Sequence, residues 1–168
     1  LRSEKSWGIG DFSDLKMYID WAAATGQCIV QTLPINDTTL TKTWRDSYPY
    51  SANSSFALNP IYLDLRLMGT PADIAELESM ERERVALNNL AEIDYEKVLA
   101  LKNRYIDIIY KEKANSCFRS SGYKSFIIEN KDWLEPYAIY CYLRDKYGNC
   151  NFSEWDEKQY SPELLTRY

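Results

Sequence analysis

Histidine is absent from this chain of 168 residues, which removes at once the commonest neutral-pH acid–base group and the commonest metal ligand. Any chemistry has to come from carboxylates, tyrosines, lysines or thiols, and neither a metal nor another cofactor is expected. Cysteine is sparse: Cys28, Cys117, Cys141 and Cys150 include no close C-x-x-C pair, so they read as reduced, structural thiols of a cytoplasmic protein, with Cys28 a small hydrophobe inside an apolar run. No stretch approaches the ~20 apolar residues that cross a bilayer, and Leu1 to Lys5 lack the hydrophobic segment of a signal peptide. Nor is there a long basic run. With 20 Lys and Arg against 25 Asp and Glu the formal net charge is −5, which leaves no electrostatic footprint for nucleic acid or an anionic membrane. An initiator methionine is also missing, as it would be from a piece of something longer.

What is present is an ordinary globular composition with an aromatic bias. Apolar residues make up 45% and charged residues 27%, which sets aside disordered and fibrous classes. The length suits one domain that buries roughly 70% of the surface of its unfolded chain. Fourteen tyrosines and five tryptophans are rings with polar edges, suited to core packing, to a subunit interface or to a sugar-binding surface.

Along the chain, Ser6-Trp7-Gly8-Ile9-Gly10 reads as a loop and Asp11 as the N-cap of a helix whose face is Phe12, Leu15, Ile19 and Ala22, closed at Gly26. The run from Gln27 to Leu33, β-branched and stopped by Pro34, predicts a buried strand. Residues 34–60 predict a long loop, the kind of segment that tends to be functional, followed by a short extended piece from Ile61 to Leu65. The remainder predicts helices. One is opened by Thr70-Pro71-Ala72-Asp73, one runs from Asp94 to near Asn115, a short one surrounds Tyr123, Phe126 and Ile127, and another runs from about Asn130 to Gly148 with Pro136 near its start. Ser161-Pro162-Glu163-Leu164 looks like the opening of one more helix. Loop, helix and strand in that order form half of a βαβ unit, so both ends interrupt an element and the expectation is an incomplete piece of a larger protein.

Acidic pairs are too numerous to mean much. Glu76 with Glu83, or Asp94 with Glu96, has no surroundings in the sequence that raise a pKa, and a solvated helix face accounts for them. The segments from Trp7 to Asp11 and from Asn36 to Asn59 differ in kind: each joins polar hydrogen-bonding groups and an aromatic ring in a loop beside an element end. That arrangement can stack on a sugar's apolar face and bond its hydroxyls, or simply pack on itself.

Taken in order, Ser6-Trp7-Gly8-Ile9-Gly10-Asp11, Trp21-Ala22-Ala23 with Gly26, Leu33-Pro34-Ile35-Asn36-Asp37-Thr38, Asp46-Ser47-Tyr48-Pro49-Tyr50-Ser51 and Phe56-Ala57-Leu58-Asn59-Pro60 resemble the N-terminal part of the 4-α-glucanotransferase (amylomaltase, or disproportionating enzyme) barrel. The later residues resemble that family's helical insertion through Trp133-Leu134-Glu135-Pro136-Tyr137 and Leu143-Arg144-Asp145-Lys146-Tyr147-Gly148. The resemblance implies a predominantly α-helical piece with one or two short strands, part of a larger (β/α)8 barrel with a helical insertion. Residues 1–66 would belong to the barrel and its substrate loop, and residues 67–168 to the insertion.

The implied activity is transfer of α-1,4-glucan segments between glucan or maltooligosaccharide acceptors with retention. An aspartate nucleophile and a glutamate acid–base carry that reaction, on later strands that this chain does not include. What carries over is substrate binding. Tyr50 matches the tyrosine beside the reacting glucose and Ser47 a glucan-contacting serine, although shorter members read Ser-Pro-Tyr and Tyr48 is an extra residue here. Trp7 and Asp11 would border the same cleft, while Asp46 and Asn59 would hold the loop's shape. A barrel without its first strand and most of its later ones leaves sheet edges exposed, so self-association or support from the helical half is expected. The competing reading is a non-catalytic helical module that binds glucan or protein, with the resemblance marking ancestry alone.

Overall fold

The computed structural model describes residues 1–156. Its elements are four α-helices, α1 (Phe12–Ala24), α2 (Ile74–Asn88), α3 (Tyr95–Arg119) and α4 (Ser121–Tyr147), with short 3₁₀ turns at Trp44–Ser47, Pro60–Tyr62, Leu65–Met68 and Phe152–Glu154. The sequence motif from Ser161 to Leu164 lies outside the described residues.

Helix starts follow local chemistry. Asp11 and Asp14 form a reciprocal capping box, each carboxylate accepting from the other's backbone N–H at 3.0 Å, an arrangement typically worth ~1 kcal/mol. Asp73 and Asp94 cap α2 and α3 through their side chains, so α2 begins after Asp73 rather than at Thr70, and Pro71 is buried ahead of it. At the far end of α1, Gly26 takes φ 80° and turns the chain out.

Two corrections concern α3 and α4. The first continues to Arg119, past the expected end near Asn115, and the two last expected helices are one helix of 27 residues with Pro136 inside it. Helix formers on both sides carry the α-conformation across the proline.

Packing is organised by α3. Val98, Leu101, Tyr105 and Ile109, spaced three or four apart, line one face. Against it come Met80 and Leu87 from α2, Ile61 and Leu65 from the 3₁₀ turns, and Trp7 and Ile9 from the N-terminal segment. That segment is lashed to α2: Arg84 donates to the Glu4 and Ser6 carbonyls at 2.8 and 2.9 Å, and Asn88 to Ser3 O at 2.8 Å. A smaller cluster of Ile139, Leu143 and Trp155 closes the end of α4.

No strand is formed among the described residues; the single β-bridge pairs Asn36 with Leu58. Gln27 to Leu33 has no regular structure and is not buried, with Ile29 84% and Leu33 62% exposed, and Cys28 is an exposed free thiol. A buried parallel strand needs neighbouring strands to satisfy its backbone, and none of the described residues provides one. The same lack of cover leaves Ile19, Met17 and Trp21 exposed on α1. Ile61 to Leu65, expected as extended, is extended only at Leu63 and Asp64, between two 3₁₀ turns that Asn59 and Asp64 cap through bonds to the Ile61 and Arg66 amides. No helix of the described residues is long and apolar enough to cross a membrane.

Candidate functional site

The long loop between residues 36 and 59 is closed at its base by Asp37 N–H to Ala57 O at 2.9 Å and Asn59 N–H to Ile35 O at 3.0 Å. Inside it, Asp46 works as a hub. Its carboxylate accepts from the backbone amides of Leu40 at 3.1 Å, Thr41 at 3.0 Å and Lys42 at 2.6 Å, and from the Thr41 hydroxyl at 2.9 Å. A carboxylate gathering successive amides pins a turn that apolar packing could not hold. Lys42, the one non-glycine residue with positive φ among the described residues, sits in that turn at φ 58°. Asn59 is buried and bridges two parts of the loop, donating to the Thr38 hydroxyl at 3.1 Å and accepting from Ile61 N–H at 3.0 Å.

The braced loop presents aromatic rings outward. Tyr48 and Tyr50 face each other at 5.5 Å with a 58° tilt, and Tyr50 is 64% exposed. Ser47 is half-buried and lines a small pocket with Asp46, Asn59, Tyr62 and Tyr95. Tyr62 and Tyr95 also line a second cavity, of about 730 Å3, shared with Asp11, Asp14, Phe12 and Tyr18. Ser47 and Asp11 therefore line two cavities that share Tyr62 and Tyr95. Tyr50 is not placed with them, and Trp7 is 3% exposed in the core.

The acidic groups around Asp11 form a buried knot. Asp14 accepts from the Ser6 hydroxyl at 2.6 Å, Asp64 takes a two-pronged bond from Arg66 at 2.7 and 2.8 Å, and Arg66 reaches towards Asp11 at 3.9 Å. Burial raises the Asp11 carboxyl, helped by the neighbouring Asp14 and Asp64 charges and opposed by the Asp14 amide. Burial also pushes on Asp14 and Asp64, but hydrogen bonds from Ser3 and Ser6 in the first case and from Arg66 in the second hold both below the usual carboxylate range. Neighbouring carboxyls with opposed shifts can divide acid and base duties. Here Asp11 and Asp14 are instead spent on the α1 cap and the loop before it. No group of three or more potential metal ligands occurs among the described residues.

Two groups of residues were not named as site residues from the sequence, although Tyr137 and Arg144 lie in the motifs that resemble the helical insertion. Lys102 is fully buried and donates to the Ile61 and Leu63 carbonyls at 2.6 and 2.8 Å. Tyr137 and Arg144 on α4 reach Asp37 and Thr39 O in the loop. Asp37 two residues before Thr39 carries a local signal, since such aspartates turn back on their own backbone. Nothing local marks its partner on α4.

A family model described as 4-alpha-glucanotransferase matches residues 1–168. The chain is 39% identical over 170 residues to the 4-alpha-glucanotransferase DPE2 of Oryza sativa subsp. japonica, an alignment covering 99% of this chain and 18% of the rice protein. It is 30% identical over 156 residues to a 4-alpha-glucanotransferase of Chlamydia muridarum, covering 92% of this chain and 29% of that one. With a 4-alpha-glucanotransferase of Aquifex aeolicus the identity is 30% over 165 residues, covering 96% and 31%. The chain therefore spans about a fifth to a third of the length of these relatives.

Proposed function

The chain belongs to the 4-alpha-glucanotransferase family, and we propose that it contributes the glucan-binding loops of an enzyme that moves α-1,4-glucan segments between acceptors. The observation that carries this reading is Tyr50, an exposed ring on a loop whose backbone is pinned by Asp46 and Asn59. A pre-set aromatic edge can stack on a glucose ring with little ordering cost on binding. Ser47, directly after the Asp46 hub, supplies a hydroxyl for the sugar's own. Asp11 walls the neighbouring cavity, and Trp7 fixes the loop from which Asp11 projects.

In this reading residues 1–66 form part of a (β/α)8 barrel, with Gln27 to Leu33 as a strand paired in the longer protein, and residues 67–168 form a helical insertion. Transfer with retention needs a nucleophilic carboxylate and an acid–base carboxyl about 5–5.5 Å apart, and both are supplied by other parts of the enzyme. The isolated polypeptide binds maltooligosaccharide but does not catalyse transfer, and it covers its exposed Ile29 and Leu33 edge by self-association. A cytoplasmic location fits its unpaired thiols.

Titration of the labelled chain with maltoheptaose tests the assignment. Resonances of residues 47–51 should shift, and Tyr50→Ala should abolish the shift; a chain whose Tyr50 surroundings ignore the sugar overturns it. Incubation with maltotriose should yield no longer or shorter products, and transfer by the purified chain would end the claim that catalysis lies elsewhere.

A further inference from the structure

The loop carrying Ser47 and Tyr50 is tied to α4 at three places on one helix face, since positions 137, 144 and 145 fall i, i+7 and i+8 along it. The Asp37 carboxylate accepts from the Thr39 amide at 2.9 Å and the Thr39 hydroxyl at 2.6 Å, and its second oxygen takes the Tyr137 hydroxyl. Arg144 donates to Thr39 O at 2.8 Å, the same carbonyl that receives the Asn53 side-chain amide at 2.8 Å. Asp145 meets Lys42 at 3.1 Å and Arg144 at 3.0 Å.

These ties pass straight to the hub. Thr38, between the two anchored residues, donates its hydroxyl to Asp46 O at 2.5 Å, and Asp46 directly precedes Ser47. The Lys42–Asp145 pair is half-exposed on both sides and contributes little. The Asp37–Tyr137 bond is charge-assisted and shielded, hence the strong member. Burial and the Asp37 carboxylate both raise the Tyr137 phenol, so it stays a donor well into alkaline solution.

We propose that α4 is a brace for the glucan-binding loop, with Tyr137 and Arg144 as positioning residues that act on Ser47 and Tyr50 through Asp37, Thr38 and Asp46. The helical segment then has a task in substrate recognition. This rests on the assignment of Tyr50 and Ser47 to the glucan.

The test uses Tyr137→Phe, which deletes one oxygen at constant ring volume, and Arg144→Met as an independent second variant. Hydrogen exchange at the amides of residues 39–42 and 53 should quicken about tenfold, the loss of roughly one hydrogen bond. Protection in α2 and α3 and the melting temperature should hold. Maltoheptaose affinity should fall by a similar factor, a separation of affinity from stability that a purely structural role does not produce. Unchanged loop exchange in both variants overturns the brace, and so does a loosened loop with unchanged affinity. If Tyr50→Ala binds maltoheptaose as well as the parent chain, the assignment of the glucan site has failed instead, and the exchange measurement still decides whether α4 holds the loop.

Discussion

The Trp7 indole meets the Tyr105 ring edge to face, with centroids 5.1 Å apart and planes at 77°, and the Tyr105 hydroxyl donates onward to Gly69 O at 2.6 Å. Three segments far apart in sequence are therefore locked at one point of the core. Trp7→Ala should destabilise the chain by about 3–5 kcal/mol, the usual loss for a large buried aromatic, while Trp7→Phe should cost less because the edge-to-face contact survives. Urea unfolding followed by circular dichroism measures both. Equal losses for the two variants would show that the indole's size, and not its contact with Tyr105, is what matters.

Gly8 follows Trp7 at φ 83°, and a Cβ there would stand 2.6 Å from Val98 Cγ2 and 3.0 Å from Leu87 Cβ. Both backbone conformation and space forbid a side chain. Overpacking against two core residues, added to the left-handed strain, puts the expected loss for Gly8→Ala at roughly 2–4 kcal/mol. The midpoint in urea should drop without a change in slope. A near-neutral result would mean that α2 can move away from α3 freely.

How far the chain explains itself depends on the range of the interaction. Asp11 and Asp94 announce helix starts because a cap is made within three residues, and Gly26 announces an end for the same reason, whereas Asp73 caps α2 past the opening expected at Thr70. Gln27 to Leu33 has a strand's composition, but pairing is a property of neighbours and none is present among the described residues. Residues 36–59 stand out as a loop through their turn-forming residues, whereas the choice of Tyr50, and of Asp46 as the residue that holds the loop's shape, came from the family resemblance. Asp37 and Tyr137 are 100 positions apart, and no local pattern couples them. Lys102 sits on the buried face of α3 where a periodicity reading expects an apolar residue, and only the carbonyls of Ile61 and Leu63 explain it.

That lysine predicts a pH dependence. Burial pulls Lys102 from its usual 10.5 to about 8, against the attraction of Asp11, Asp64 and Asp14. Between those two values the unfolded chain binds more protons than the folded one, so the Lys102 contribution to stability rises with pH. Its penalty is complete below about pH 8 and gone above about pH 10.5. Tyr62 and Tyr105, whose phenols burial raises, act in the opposite direction as the unfolded phenols begin to ionise. Comparing the chain with Lys102→Met at each pH cancels them. From about pH 7.5 to 9.5 the difference should move by about 1–2 kcal/mol in favour of the lysine form, read from urea melts. A difference that ignores pH would mean that the amine keeps its charge throughout.

Pro136 lies inside α4, where it has no N–H to offer the Asp132 carbonyl and its ring presses on that carbonyl. Pro136→Ala restores the bond and relieves the contact, gains offset in part by the extra freedom alanine gives the unfolded chain. The net expectation is a stabilisation of about 1–2 kcal/mol, seen as a higher melting temperature. The next residue is Tyr137, so the variant also asks what the proline does for the loop. If the proline is only tolerated, exchange at residues 39–42 stays as it was while α4 becomes more protected. If the proline is instead what aims Tyr137 at Asp37, replacing it breaks that bond, and the loop loosens even as the helix gains.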